Sequence, residues 1–173
     1  MKFYKYLFLV IFLLNFNNVS FSNEIYFIDL KKILNKSKAG KGAQDYLKKQ
    51  LSDKTKKLDK ERAALKKEET DLIAKKKLIS AEEYKKSLNA LRKKNISHQK
   101  NRQSSANEIF KKKEEARLQL NKALKPILEK YMSENNISLV VDKKSVIVGK
   151  TEIDLTEKIL KILDKELKSI NLK

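Results

Sequence analysis

The sequence has no cysteine and no tryptophan, one histidine, one proline and three glycines. Without cysteine there is no disulfide framework, no thiolate metal site, no cysteine nucleophile and no cysteine to carry a lipid. A single histidine excludes a histidine-based metal site and any catalytic set beyond what one ring could serve. Three glycines cannot supply the turns of a many-stranded sandwich or barrel. With 36% charged and 8% aromatic residues in a chain of 173, the protein is too polar for one compact ball. What it has in abundance is Ala, Glu, Lys and Leu, the composition of long solvent-exposed helices, in a length that suits about one domain. Positive charge is in excess, with 41 Lys+Arg against 22 Asp+Glu.

The first segment reads as an address. Lys2 and Lys5 give a positive start, Leu7 to Leu14 is an apolar run of eight, and Ser20-Phe21-Ser22 places small residues where a signal peptidase cuts. The spacing predicts cleavage between Ser22 and Asn23. An uncleaved anchor would need about 17–25 apolar residues, and Asn15, Asn17 and Asn18 end this run too early. Loss of Lys2 and Lys5 leaves 39 basic and 22 acidic residues, a net charge of +17. Export usually invites disulfides; here packing or oligomerisation must replace them.

The mature chain divides by pattern. Glu24 to Leu30 is rich in Ile, Tyr and Phe and reads as one buried strand. A short helical stretch at Leu30–Leu34 and a polar bend from Asn35 to Gly42 follow. Between Gly42 and Pro126 lie 83 residues without glycine or proline. One straight helix of that length would run about 125 Å. The best break is Ser80-Ala81-Glu82-Glu83, a capping box flanked by Ile79 and Tyr84 at the positions of a hydrophobic staple. The reading is an αα-hairpin of Gln44–Lys77 and Ala81–Gln119. Leu51, Leu58, Leu65 and Leu72 recur every seven residues, as do Tyr84, Leu91, His98 and Ser105, with Leu88, Asn95, Arg102 and Ile109 offset by four. Such repeats form a seam for a partner helix. Folding at Ile79 pairs Leu72 with Tyr84, Leu65 with Leu91, Leu58 with His98 and Leu51 with Ser105. The seam is apolar near the tip and polar at Asn95, His98 and Arg102, so the arm is flexible and marginally stable alone.

Beyond Gln119 the stripe widens through Leu120, Leu124, Ile127, Leu128 and Tyr131, where the helix enters a core and Pro126 is placed to kink it. Asn135-Asn136 ends it. Ile137–Val141 and Val146-Ile147-Val148 read as strands, with Asp142–Ser145 as the hairpin turn. Asp154 and Glu157 form a cap-like pair ahead of a last helix with Leu155, Ile159, Ile162, Leu163, Leu167 and Ile170 on one face. The expected fold class is α+β, mostly α. It comprises a signal peptide (1–22), a small β-rich oligomerisation body (23–43 plus 120–173) and an inserted antiparallel helical-hairpin arm (44–119).

With these parts in order, the sequence resembles the Skp/OmpH family of periplasmic chaperones. The residues that carry the likeness are the early Ile25-Tyr-Phe-Ile-Asp29 strand, the Lys-rich helical insertion, Asn136-Ile-Ser-Leu-Val-Val-Asp142, and Asp154-Leu-Thr before the closing helix. The resemblance covers nearly the whole mature chain and is low in information through the arms. It implies a homotrimer whose strands join into a small central barrel, with three arms around a cavity. The implied activity is ATP-independent holding of unfolded outer-membrane proteins in the periplasm. The implied assembly agrees with elementary physics, because joining open edges between subunits removes an aggregation hazard and a small body gains from oligomerisation.

The hairpin, residues 44–117, holds 23 basic and 12 acidic residues, a net charge of +11. A positive field of that size speeds capture of acidic chains and is screened by salt. Candidate electrostatic residues are Lys66, Lys67, Lys75, Lys76, Lys77, Lys85, Lys86, Lys93 and Lys94. Candidate client contacts at the arm tip are Ile73, Leu78, Ile79 and Tyr84; packing of the two helices on each other is the plainer role for such residues. Candidate oligomerisation strands carry Ile25, Phe27, Leu139, Val140, Val141, Val146, Ile147 and Val148. Two other function classes stay open: a structural coiled-coil protein of the envelope bound to anionic lipid, and a basic nucleic-acid binder, which the signal peptide and the scarcity of arginine oppose. Anionic lipid or lipopolysaccharide is a further candidate partner of the chaperone too. An enzyme is not expected: Gly40-Lys41-Gly42 lacks the spacing of a phosphate-binding loop, His98 lies on the helix seam, and no cofactor or metal is implied.

Overall fold

The computed structural model describes residues 25–172. The expected signal peptide, its cut after Ser22, and Glu24 lie outside the described residues. In chain order the elements are β1 (Ile25–Ile28), α1 (Leu30–Lys36), α2 (Lys38–Lys75), α3 (Ala81–Glu134), β2 (Leu139–Asp142) and α4 (Thr156–Glu166), with 3₁₀ turns at Lys143–Ser145 and Thr151–Ile153.

Each boundary has a local cause. Asp29 caps α1, its carboxylate accepting from the Lys32 N–H at 2.7 Å. The expected polar bend from Asn35 to Gly42 is helical instead, interrupted only at Ser37. Ser37 is fully buried and caps α2, its Oγ accepting from the Gly40 N–H at 3.1 Å. One capping residue thus does the work expected of an eight-residue bend. Gly40 is needed because the two helices meet there: a Cβ at that position would lie 1.8 Å from the Leu34 carbonyl oxygen. Gly42 has open space and no such role.

The turn between α2 and α3 is closed by Leu78 N–H to the Lys75 carbonyl at 2.8 Å. Ser80 caps α3 as the capping box requires, its Oγ accepting from the Glu83 N–H at 3.2 Å. The helix then runs unbroken through Pro126, about 80 Å against about 57 Å for α2. It stops at Asn135-Asn136, with Asn136 left-handed at φ 53°. The Ile137 N–H reaches back to the Met132 carbonyl at 2.9 Å, the long bond of a Schellman cap.

β1 and β2 pair in parallel, with Ile25 opposite Leu139, Tyr26 opposite Val140, Phe27 opposite Val141 and Ile28 opposite Asp142. The whole hairpin is therefore the crossover between two neighbouring parallel strands. The expected second hairpin strand at Val146, Ile147 and Val148 does not form. After β2 the Asp142 carboxylate accepts from the Lys144 N–H at 3.3 Å, and the Val146 N–H bonds to the Lys143 carbonyl at 3.0 Å. This local turn competes with a strand ladder and wins. The other side of β1 is met by a single bridge, Phe27 with Asp154, and by the Leu155 N–H donating to the Phe27 carbonyl at 2.9 Å.

The core gathers Ile28, Ile33, Leu124, Ile127, Ile137, Leu155, Ile159 and Leu163 from both ends of the chain. Ile33, Leu155, Ile159 and Leu163 are essentially inaccessible to solvent, each contributing about 1.5–3 kcal/mol by burial. α4 ends at Glu166, earlier than its apolar pattern suggests. Ile170 lies beyond it and packs with Ala43, Tyr46, Leu47, Ala116 and Leu172 at the root of the hairpin. There Lys112 Nζ donates to the Leu172 carbonyl at 2.7 Å, and Gln119 Nε2 donates to the Asn171 carbonyl at 2.9 Å. The last described residues thus tie both long helices to the body.

Candidate functional site

The hairpin seam is built from two interleaved rows. Leu58, Leu65 and Leu72 of α2 are half-buried against α3, as are Tyr84, Leu88 and Ile109 from the other side. Leu91 is the one fully buried side chain between residues 44 and 115. Between the leucines stands a second heptad row, Lys54, Glu61 and Glu68. Lys54 Nζ meets Glu108 Oε2 at 2.8 Å, Glu61 Oε2 meets His98 Nδ1 at 3.3 Å, and Glu68 Oε1 meets Lys94 Nζ at 2.7 Å. The hydrogen bond and charge of Lys54 hold the Glu108 carboxyl below its ordinary range. Sequence reading found the leucine row and missed this charged row, although acidic and basic residues at the same seven-residue interval were its signal.

The expected neighbours Leu58 and His98, and Leu51 and Ser105, line one cavity of about 290 Å³ between the helices, together with Arg62 and Arg102. The seam is therefore open halfway down. Leu51 remains 51% exposed. Half-buried leucines and solvated ion pairs, which contribute little to stability, leave the arm less tightly packed than the body.

The candidate tip residues separate into two kinds. Ile79 and Tyr84 are half-buried, with the Lys76 ammonium 5.8 Å from the Tyr84 ring. Ile73 and Leu78 project into solvent, 61% and 81% exposed. The nine candidate lysines, Lys66, Lys67, Lys75, Lys76, Lys77, Lys85, Lys86, Lys93 and Lys94, are all exposed. Only Lys94 among them is engaged in an ion pair between described residues. Three further exposed apolar side chains, Ile96, Phe110 and Leu118, lie on α3 well away from the tip. Sequence reading missed them because it followed the seam repeat and not the opposite face.

In the body, Ile25 and Leu139 are 54% and 47% exposed, and Val140 and Val141 are half-buried. Phe27 turns inward, 5% exposed, beneath the Lys143 ammonium at 5.5 Å from its ring. Val146 is half-buried, whereas Ile147 and Val148 are fully in solvent. Among the described residues, β2 has a strand neighbour on one side only. Asp154 secures the chain beside β1. Burial opposes its ionisation, but hydrogen bonds from the Thr156 hydroxyl and backbone, and from Lys143, bring its carboxyl below the ordinary range. The expected pairing of Asp154 with Glu157 as a cap does not form: Leu155 is the N-cap residue of α4, Asp154 accepts from the Thr156 N–H at 2.9 Å, and Glu157 pairs with Lys32 at 2.7 Å.

Among the described residues, no group of three His, Asp or Glu could hold a metal ion, and no helix is long and apolar enough to cross a membrane. What the surface offers is an elongated basic arm with isolated apolar side chains, and a body with an open strand edge.

Comparison with known proteins gives concordant results. Residues 24–163 match the family described as outer membrane protein (OmpH-like). The fold matches a crystal structure of a candidate outer membrane chaperone (OmpH-like) from Caulobacter crescentus CB15, with a TM-score of 0.79 at 21% identity, over 85% of this chain and 87% of that one. No curated protein matches the sequence.

Proposed function

This chain belongs to the family of OmpH-like outer membrane proteins, and we propose that it is an ATP-independent periplasmic holdase. It keeps unfolded β-barrel precursors of the outer membrane from aggregating. The observation that carries the reading is the surface of the hairpin. It sets exposed lysines beside exposed Ile73, Leu78, Ile96, Phe110 and Leu118 on helices that stand away from the core. Positive charge draws in acidic chains over roughly a Debye length, about 8–10 Å at moderate salt. Scattered apolar side chains then make weak, reversible contacts. Neither step needs a reaction or a cofactor.

The body supplies assembly. The open edge of β2, with Leu139, Val140 and Val141, and the exposed bend at Ile147 and Val148 present a strand edge and apolar side chains. Joining them between copies relieves the edge hazard, and we assign this surface to a homotrimer. Three like-charged arms repel one another and keep a cavity open. Anionic lipid or lipopolysaccharide is a further partner for the same lysines; nucleic acid is not. A purely structural coiled coil is less well supported, because the seam has one fully buried side chain between residues 44 and 115.

The test is dilution of a urea-unfolded outer-membrane barrel protein into low-salt buffer with the mature protein, reading turbidity and the soluble fraction. Protection at a trimer equivalent, weakened by salt, is expected. Full aggregation at a trimer excess overturns the reading.

A further inference from the structure

We propose that residues 167–172 are a latch. Closed, the segment braces the arm across a joint where both long helices leave the body; open, it frees the arm to swing.

The segment lies beyond residues 24–163, the span that matches the family, and forms neither helix nor strand. Its origin belongs to the body, where Leu167 packs against the core that holds Ile33, Leu155 and Leu163. Lys168 and Ser169 are exposed and cross to a second, separate apolar cluster. There Leu172, 4% exposed, sits with Ala43 of α2 and Ala116 of α3. Two small side chains, one on each helix, leave the room that this leucine fills. Ile170 packs on the same cluster with Tyr46 and Leu47. α3 grips the backbone of the segment through side chains: Lys112 Nζ donates to the Leu172 carbonyl at 2.7 Å, and Gln119 Nε2 donates to the Asn171 carbonyl at 2.9 Å. The Lys112 ammonium also lies 5.5 Å from the Tyr46 ring, so one lysine joins α2, α3 and the segment.

Both helices have a weak point on the body side of these contacts. Ser37 alone separates α2 from α1, and the start of α2 is held to the body by the Lys38 N–H donating to the Asp164 carboxylate at 2.7 Å. Pro126 lies inside α3. It has no N–H, so the Lys122 carbonyl loses its helical donor. Residues 43–47 stand about 9–15 Å beyond Ser37, and residues 112–119 about 10–21 Å before Pro126. The segment therefore starts in the body and is fixed on the arm, spanning both weak points. Helix packing leaves play at this level: a cavity of about 670 Å³ opens between α1, α2 and α3, lined by Leu34, Asn35, Leu47, Arg117 and Leu120.

Burial of one leucine favours the closed segment by roughly 10–150-fold. The open form is then about 1–10% of molecules, a minor state of the size that a second event can recruit. Loss of the Leu172 side chain removes that bias and makes the open form common.

The chain has no cysteine, so Lys161→Cys on α4 and Ala63→Cys on α2, both exposed positions, carry a spin-label pair in the full mature protein. Refolding with an excess of unlabelled protein keeps each pair within one chain. Pulsed dipolar spectroscopy then reads the distribution of body-to-arm distances. Wild type gives a narrow distribution. In Leu172→Ser, and in a chain ended after Leu167, the open fraction rises to about half or more and the distribution broadens. Pro126 is exposed, and Pro126→Ala in the shortened chain returns an N–H to α3 and narrows the distribution again. Amide exchange in α4 stays at its wild-type rate in Leu172→Ser. A distribution as narrow as wild type in both variants, no narrowing by Pro126→Ala, or faster exchange throughout α4 overturns the latch. No client is present in the measurement, so a negative result leaves the holdase reading standing.

Discussion

Leu91 is the place where the arm is most exposed to a single change. It is 4% exposed at the centre of a seam whose other apolar members, Leu58, Leu65, Leu72, Tyr84 and Leu88, are only half-buried. Leu→Ala in a packed core costs about 2–5 kcal/mol, the larger values where the surroundings cannot collapse. Two helices with solvent on both sides can close partly over the gap, so Leu91→Ala is placed near the low end, about 2 kcal/mol. That is roughly a thirtyfold rise in the population of the open arm. The body core is built from other residues, Ile33, Leu155, Ile159 and Leu163 among them, and distant sites act independently. Hydrogen exchange read by mass spectrometry separates the two regions. Amides of residues 58–72 and 84–105 exchange about thirtyfold faster in the variant, and those of α4 keep their wild-type rates. Unchanged arm rates, or equal acceleration in α4, would refute the idea that arm and body open separately.

Other perturbations test the joints of the fold. Gly40→Ala drives a Cβ to 1.8 Å from the Leu34 carbonyl oxygen and destabilises the body by about 2 kcal/mol or more, whereas Gly42→Ala meets nothing and stabilises α2 by about 0.5–1 kcal/mol; paired urea midpoints check both signs. The Asp154 carboxyl is held below its ordinary range in the folded chain. Its contribution is present above the unfolded carboxylate value, about 4, and disappears as pH falls through the folded value; Asp154→Asn therefore shows a shallower loss of stability between pH 5 and 2. Ile159→Ala, at a site closed to solvent, costs about 3 kcal/mol, read as a lower midpoint of the body transition.

Much of this architecture is legible in the sequence because its devices are local. Ser80 with Glu83 marks the start of α3, Asn135-Asn136 marks its end, and the leucine repeat marks the seam. Readings failed where tertiary contacts decided. Ser37 and Gly40 let two helices follow each other with a single residue between them, so the polar stretch that suggested a bend is helical. Val146-Ile147-Val148 has strand composition, but the Asp142 side chain captures the Lys144 N–H and winds the chain into a 3₁₀ turn. Parallel pairing of β1 with β2 joins residues more than a hundred positions apart, and no periodicity reports it. At the candidate site, the charge excess and the tip residues were readable. The split between packed Ile79 and Tyr84 and projecting Ile73 and Leu78 was not, because it depends on where the turn falls. Ile96, Phe110 and Leu118 escaped notice since they lie off the seam repeat, on an exposed face of α3.

The central claim is that the hairpin holds unfolded chains and the body assembles. Residues 52–108 can be replaced by a tight turn, leaving the root contacts of Tyr46, Lys112, Ala116 and Leu172 in place. The measurement is the soluble fraction of a urea-diluted outer-membrane barrel protein, with the oligomer mass of the shortened protein taken by light scattering on the same sample. The account predicts a trimer that protects nothing. A shortened trimer that protects as well as the full-length protein would contradict it.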